Sequence, residues 1–393
     1  MKRLVLAGGG HAHLSVLQSL SARQEKNLQT VLVTPDRYQY YSGMLPGFMA
    51  GHYTVGQCRV DLAPLAQQAG AKLLLASVTS LNAAQHRLAL SDGTALEYDL
   101  LSLDVGSSVH AQGLQALGDA YAPAKPLGPF FERWPQCVAA ARHSAGYSVV
   151  VVGAGAAGLE LALAAAHALR DAQARVHLVG PSDSFLAGHS AAVRRRSMAC
   201  LQDAGVQWHA QRAQGVAQGL PSRPTAESAA AGAGAKASTA TGTVILTDGT
   251  ALPCDTLIAT TGAQALGWLG ASGLAVNAQG FVAVNAHHQS TSHTNVFAVG
   301  DCCARADTAM QRSGVHAVRA GPVLAHNLHA VLTGGNLQAY SPRKRSLYLL
   351  ACGPRHAVAS WGPLSAEGAW VWLWKDRIDR GFVQRFSAPV AEA

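Results

Sequence analysis

Two glycine-rich turns with phosphate-approach spacing carry the clearest chemistry in this chain. The first reads Gly8-Gly-Gly10-His-Ala-His13 after the apolar run from Arg3 to Ala7. The second reads Gly153-Ala-Gly155-Ala-Ala-Gly158 after Ser148 to Val152. A glycine turn between strand and helix aims backbone N–H groups and the positive helix end at a pyrophosphate. Two such turns predict two dinucleotides, and hence electron transfer between them. A third signal comes late, in Thr294-Asn-Val-Phe-Ala-Val-Gly300-Asp301. There a buried strand delivers Gly300 and Asp301 to a helix start, where the carboxylate can accept a ribityl hydroxyl and N–H groups face a flavin phosphate.

The neighbouring residues refine this reading. His13 stands where a third glycine normally lets helix and strand close up, so its ring must tilt the helix or point into the site. A packed His13 and a cofactor-contacting His13 both stay open; His11, nearer the expected pyrophosphate, is the stronger candidate. The second strand ends at Thr34 without the acid that commonly holds a ribose; Asp36 reaches that place only if its loop turns back. Val179-Gly180-Pro181 also lacks an acid, which leaves NADH and NADPH undistinguished. Arg194, Arg195 and Arg196 read as a solvated helix face rather than a 2′-phosphate site, and Cys302 and Cys303 as small buried residues.

The elements that position these residues repeat. Residues 3–7 read as a strand, 11–22 as a helix and 29–34 as a second strand, followed by a short helix at 60–70 and a strand at 71–75. A hairpin turns at Asp92-Gly93, and a buried strand runs from Asp99 to Gly106. From about residue 146 the pattern restarts: strand, glycine turn, helix from 159, strand to Val179, hairpin at 244–253, and a strand from Asp255 to Gly262. This duplication is stronger evidence than either glycine turn alone. Residues 219–243, with almost no large apolar side chain, read as a mobile insert.

With 393 residues, 49% of them hydrophobic, the chain can build two or three domains with real cores. The net charge of +8 suits anionic cofactors, or attraction to anionic lipid headgroups. No nucleic-acid motif accompanies it, so nucleic-acid binding is not expected. Seven cysteines at irregular spacing do not form a disulfide framework. No apolar stretch of about 18 residues is free of charge or glycine, and the N-terminus runs straight into the first turn. A cytoplasmic protein is expected, or one peripheral on the inner face of the plasma membrane.

On these motifs the chain resembles the two-dinucleotide flavoproteins of the pyridine nucleotide-disulfide oxidoreductase superfamily, and within it the type II NADH dehydrogenases. GGGHAH, YSGMLPGFMAGHY, SGVHAVRAGPVLAHNL and WVWLWKDRIDRGF are most similar to the flavoprotein module found alone or fused ahead of selenophosphate synthetase. The resemblance implies an α/β fold with two Rossmann-like domains: an FAD domain at 1–115 and 280–335, an NAD(P)H domain at 116–279, and an α+β interface domain at 336–393. FAD would contact Gly8, Gly10, His11, Asp36, Gly106, Gly300 and Asp301, with Ser42, Met44, Leu45 and Pro46 against the isoalloxazine. NAD(P)H would lie on Gly153, Gly155 and Gly158, with Gly262 at the end of the mirrored strand.

Glu160 corresponds to the glutamate these dehydrogenases place between nicotinamide and flavin. Lys125 matches a lysine common between the halves, although a solvated linker lysine fits equally. The Cys-x4-Cys pair of disulfide reductases is missing after the first turn. Where type II dehydrogenases show Ala-Gln beside the quinone, this chain has Gly314 and Val315, followed by His316, which is counted with the cofactor residues. The expected activity is hydride transfer from NAD(P)H through FAD to a small-molecule acceptor, a quinone first. A sulfur or selenium species, a Cys137–Cys352 pair handling sulfide, and a flavin-holding redox sensor are the alternatives. The Trp370–Arg380 segment reads as a packed closing element or homodimer contact, or as a peripheral membrane contact.

Overall fold

The computed structural model describes residues 1–23, 27–111, 113–218, 241–310, 314–343 and 345–387. Most of the predicted insert therefore lies outside the described residues. Its last two positions do not belong to an insert: Gly242 and Thr243 begin the strand Gly242–Leu246 and pair with Cys254 and Pro253. The side chain of Leu117 packs over Gly242, its Cδ2 2.2 Å from where a Cβ would stand.

Two five-stranded parallel sheets carry the chain. In the first, Val296–Ala298, Leu100–Leu103, Lys2–Ala7, Leu28–Thr34 and Ala71–Leu75 lie side by side. The second repeats the order with Tyr121–Pro123, Thr256–Ala259, Ser148–Val152, Arg175–Val179 and Gln207–His209. The central strands are apolar because both faces are covered; all five residues of Ser148–Val152 are buried. Burying each such valine contributes roughly 1.5–3 kcal/mol. The fold is thus α/β with two Rossmann-like units.

The edge strands come from unexpected places in the chain. Val296–Ala298 returns to the first sheet after the whole second unit, in parallel register with Leu101–Leu103. Tyr121–Pro123 enters the second sheet before its glycine turn is reached, pairing with Leu257–Ala259. Helix His11–Arg23 packs on helix Gly314–Thr333, and the approach is close: a Cβ on Gly321 would lie 2.7 Å from Ser15 Oγ. A three-stranded antiparallel sheet of Leu347–Ala351, Ala357–Trp361 and Leu364–Gly368 follows, then the helix Ala369–Phe386. That helix runs back over the loops of the first unit, where Tyr53 Oη donates to Asp376.

Candidate functional site

The first glycine turn is shaped by the end of a neighbouring strand. Gly8 has φ +96°, and a Cβ on it would lie 2.2 Å from the Asp104 carbonyl oxygen; one on Gly10 would lie 2.2 Å from Asp104 Cγ. The Asp104 carboxylate accepts from the N–H groups of Ala12 (2.9 Å) and His13 (3.3 Å), capping the helix. Burial pushes its pKa up to about 7, against those two N–H bonds. Asp104 is a residue that motif reading missed. Its position mirrors Thr260, and laying the two halves over one another would have exposed an acid where the second unit has a hydroxyl.

His13 resolves in favour of packing. It is buried, with Nδ1 2.6 Å from the Gly8 carbonyl and Nε2 2.8 Å from Ser102 Oγ. Burial drives its pKa down to about 4, against the Gly8 bond, so the ring is neutral. His11 instead borders an open cavity of about 630 Å³. Burial lowers its pKa to about 4, with Asp301 opposing and Lys125 assisting.

That cavity gathers most of the first set of candidates: Gly8, Gly10, His11, Asp36, Ser42, Gly106, Lys125, Gly300 and Asp301 all line it. The loop after Thr34 does turn back, with Asp36 accepting from Tyr38 N–H at 2.8 Å. Lys125 is no solvated linker residue: its Nζ pairs with Asp301 Oδ2. The other oxygen, Asp301 Oδ1, is buried without a partner among the described residues, as are Ser107 Oγ and Gln39 Oε1. All three residues border the cavity. Buried polar atoms are nearly always satisfied, so this wall is built for a ligand rich in hydroxyl, amide and carbonyl groups. The residues fit FAD.

Met44, Leu45 and Pro46 are buried and do not line the cavity. His316 lies elsewhere, with Nδ1 3.0 Å from Tyr340 Oη, beside a separate cavity of about 390 Å³ that Arg343 and Arg345 also border. Cys302 and Cys303 are buried, and burial raises the Cys302 thiol to about 12.

The second turn is tighter. A Cβ on Gly158 would lie 1.7 Å from the Gly153 carbonyl oxygen, so helix Ala156–Ala168 meets its strand at a distance only glycine allows. Thr260 Oγ1 donates to Val152 O at 3.0 Å, and no side chain caps the helix start. A Cβ on Gly155 meets nothing within 4 Å. Gly262, at φ +106°, is likewise open. This uncapped helix start suits the pyrophosphate of NAD(P)H. Arg196 does not serve it: the guanidinium is held by Glu367 and by Ser365 Oγ.

One turn along the same helix, Glu160 accepts the Ala351 N–H at 2.8 Å. Burial raises its carboxyl to about 7, while Lys375 and the Ala351 bond pull it back. Lys375 is buried on the C-terminal helix, donating to the Gly43 carbonyl (2.6 Å) and to Asp379 (2.7 Å). Burial works against its ammonium, but Asp379 and Glu160 hold its pKa above the usual lysine value. Tyr41, raised by burial and by Asp379, stacks on Phe382 at 4.4 Å. Glu160 and Lys125 thus belong to two separate networks, and Lys375 and Asp379 were missed. Their signal was an i,i+4 Lys–Asp pair inside an aromatic helix.

Residues 2–327 match the pyridine nucleotide-disulphide oxidoreductase family, and the chain belongs to it. Three solved structures share the fold. The sulfide:quinone oxidoreductase of the hyperthermophilic bacterium Aquifex aeolicus is 16% identical with TM-score 0.76, over 98% of this chain and 91% of that one. A ferredoxin reductase of Rhodopseudomonas palustris is 20% identical with TM-score 0.68, over 91% and 82%. The water-forming NADH oxidase of Lactobacillus brevis is 16% identical with TM-score 0.72, over 92% and 75%. The protein is an FAD-dependent NAD(P)H oxidoreductase.

Proposed function

We propose that this oxidoreductase is a type II NADH dehydrogenase-like enzyme that works at a membrane surface and delivers electrons to a quinone. The observation that carries this reading is the outer face of the C-terminal helix. Trp370, Leu373, Trp374 and Ile378 are 43–60% exposed there, and Trp361 and Leu364 on the preceding hairpin are 52% and 61% exposed. Isolated exposed apolar residues are ordinary, but six large ones on two adjoining elements mark an interaction surface. Tryptophans on a helix face that also exposes Arg377 suit the lipid headgroup region, where a lipid-soluble acceptor is met. No helix among the described residues is long and apolar enough to cross a membrane. The fold shared with the Aquifex sulfide:quinone oxidoreductase lends further support.

In this reading Gly8, Gly10, His11, Asp36, Ser42, Gly106, Gly300 and Asp301 hold FAD, and Lys125 fixes the Asp301 carboxylate. Gly153, Gly155 and Gly158 hold the NAD(P)H pyrophosphate. FAD, when bound, takes a hydride equivalent from NAD(P)H and passes electrons onward. Glu160, poised near neutrality, stores or releases a proton at its carboxyl, with Lys375 as the charge that steadies the ionised form.

The test is NADH turnover with a long-chain quinone in anionic vesicles, compared with water-soluble ferricyanide. The doubly substituted W370E/W374E protein is expected to leave the vesicles and lose quinone turnover while keeping ferricyanide turnover. Fast ferricyanide reduction by the unaltered protein with no quinone reduction, or faster reduction of polysulfide or selenite, would overturn the reading.

A further inference from the structure

Outside both nucleotide sites, three metal-ligand side chains from separate elements converge. Cys200 lies on helix Ala191–Asp203, His356 on the turn after strand Leu347–Ala351, and Glu367 on strand Leu364–Gly368. One ligand atom of each lies within 4.8 Å of the other two, and all three residues are half-buried. His356 Nε2 stands 3.8 Å from Glu367 Oε2.

The surroundings hold these groups in place. Arg196 pairs with Glu367 Oε1, leaving Oε2 turned toward His356. The Cys352 N–H donates to the His356 carbonyl at 3.0 Å, fixing the turn. The Cys352 thiol donates to the Leu350 carbonyl at 3.5 Å, holding the same turn from its other side.

We infer that Cys200, His356 and Glu367 form a divalent-metal site, with zinc the favoured ion and a water completing the shell. A tetrahedral zinc with ordinary bond lengths separates its N, O and S donors by about 3.4–3.6 Å. The His356 Nε2–Glu367 Oε2 separation of 3.8 Å is near that spacing, and no two of the three donor atoms are more than 4.8 Å apart. One thiolate, one imidazole and one carboxylate select zinc over magnesium or calcium, which take all-oxygen shells. The bound ion ties the helix of the nucleotide-binding unit to the sheet that presents the Ala351 N–H to Glu160.

The test is zinc content of the purified flavoprotein after gel filtration, with a chelator competition for affinity. One zinc per chain is expected, and zinc should protect Cys200 of the unaltered protein from alkylation. Cys200→Ser and His356→Gln should each weaken zinc by about 100-fold or more, with flavin content and NADH bleaching retained as evidence of folding. Zinc absent at micromolar free metal, zinc held equally by both variants, or a resting Cys200–Cys352 disulfide in place of the ion would overturn the inference.

Discussion

Replacing Glu160 by glutamine tests the polar network between the second unit and the C-terminal helix. The unfolded chain releases the Glu160 proton near 4.5, whereas the folded chain keeps it until about 7. Below pH 4.5 both states are protonated and the carboxyl has no effect relative to glutamine. Between 4.5 and 7 only the unfolded chain is ionised, so stability falls as pH rises, by about 1.36 kcal/mol per pH unit. Above 7 the loss levels off at roughly 3 kcal/mol, somewhat less where water reaches the carboxyl. The assay is urea unfolding of the two flavoproteins from pH 5 to pH 8. E160Q should gain on the unaltered protein by about 2–3 kcal/mol across that range, and an infrared carboxylic-acid band should titrate near neutrality and vanish in the variant. Parallel stability curves, or a band lost near pH 4.5, would show that Glu160 is ordinarily solvated and refute the reasoning.

Two further outcomes probe the separate nucleotide sites. Asp301→Asn removes the charge facing Lys125 and weakens an acceptor whose charged hydrogen bonds are each worth about 1.5–3 kcal/mol. FAD affinity, followed by flavin fluorescence after dilution, should fall about 10- to 100-fold; unchanged retention would place the flavin elsewhere. Gly158→Ala drives a methyl against the Gly153 carbonyl and pushes the helix off its strand. Flavin bleaching by NAD(P)H in a stopped-flow instrument should slow by about 10- to 100-fold with flavin content intact, and an unaffected rate would remove the second turn from cofactor binding.

The repeated units were legible because their signals are local. An apolar run, a glycine turn and an amphipathic segment can each be read within a dozen residues, and the predicted strand at 71–75 matches Ala71–Leu75. Even the short helix announced itself, since Asp61 caps Leu62–Gln68 through the Ala63 N–H. Asp104 and the role of Lys375 escaped because partners lie far off in the chain: Asp104 acts on Ala12, and Lys375 on Gly43. The two cysteines of the sulfide-handling alternative are both buried free thiols, Cys137 within helix Leu127–His143 and Cys352 just after strand Leu347–Ala351.

The exchange of outermost strands bears on how this polypeptide matures at the ribosome. The second sheet has all its strands once Thr256–Ala259 has emerged, but the first waits for Val296–Ala298. Until then Leu100–Leu103, three leucines and a serine, presents a bare and largely apolar edge, the kind of surface that recruits other nascent chains. The later-made unit can therefore close before the earlier one, and a truncation ending before residue 296 should be prone to aggregation however intact its flavin-binding turn.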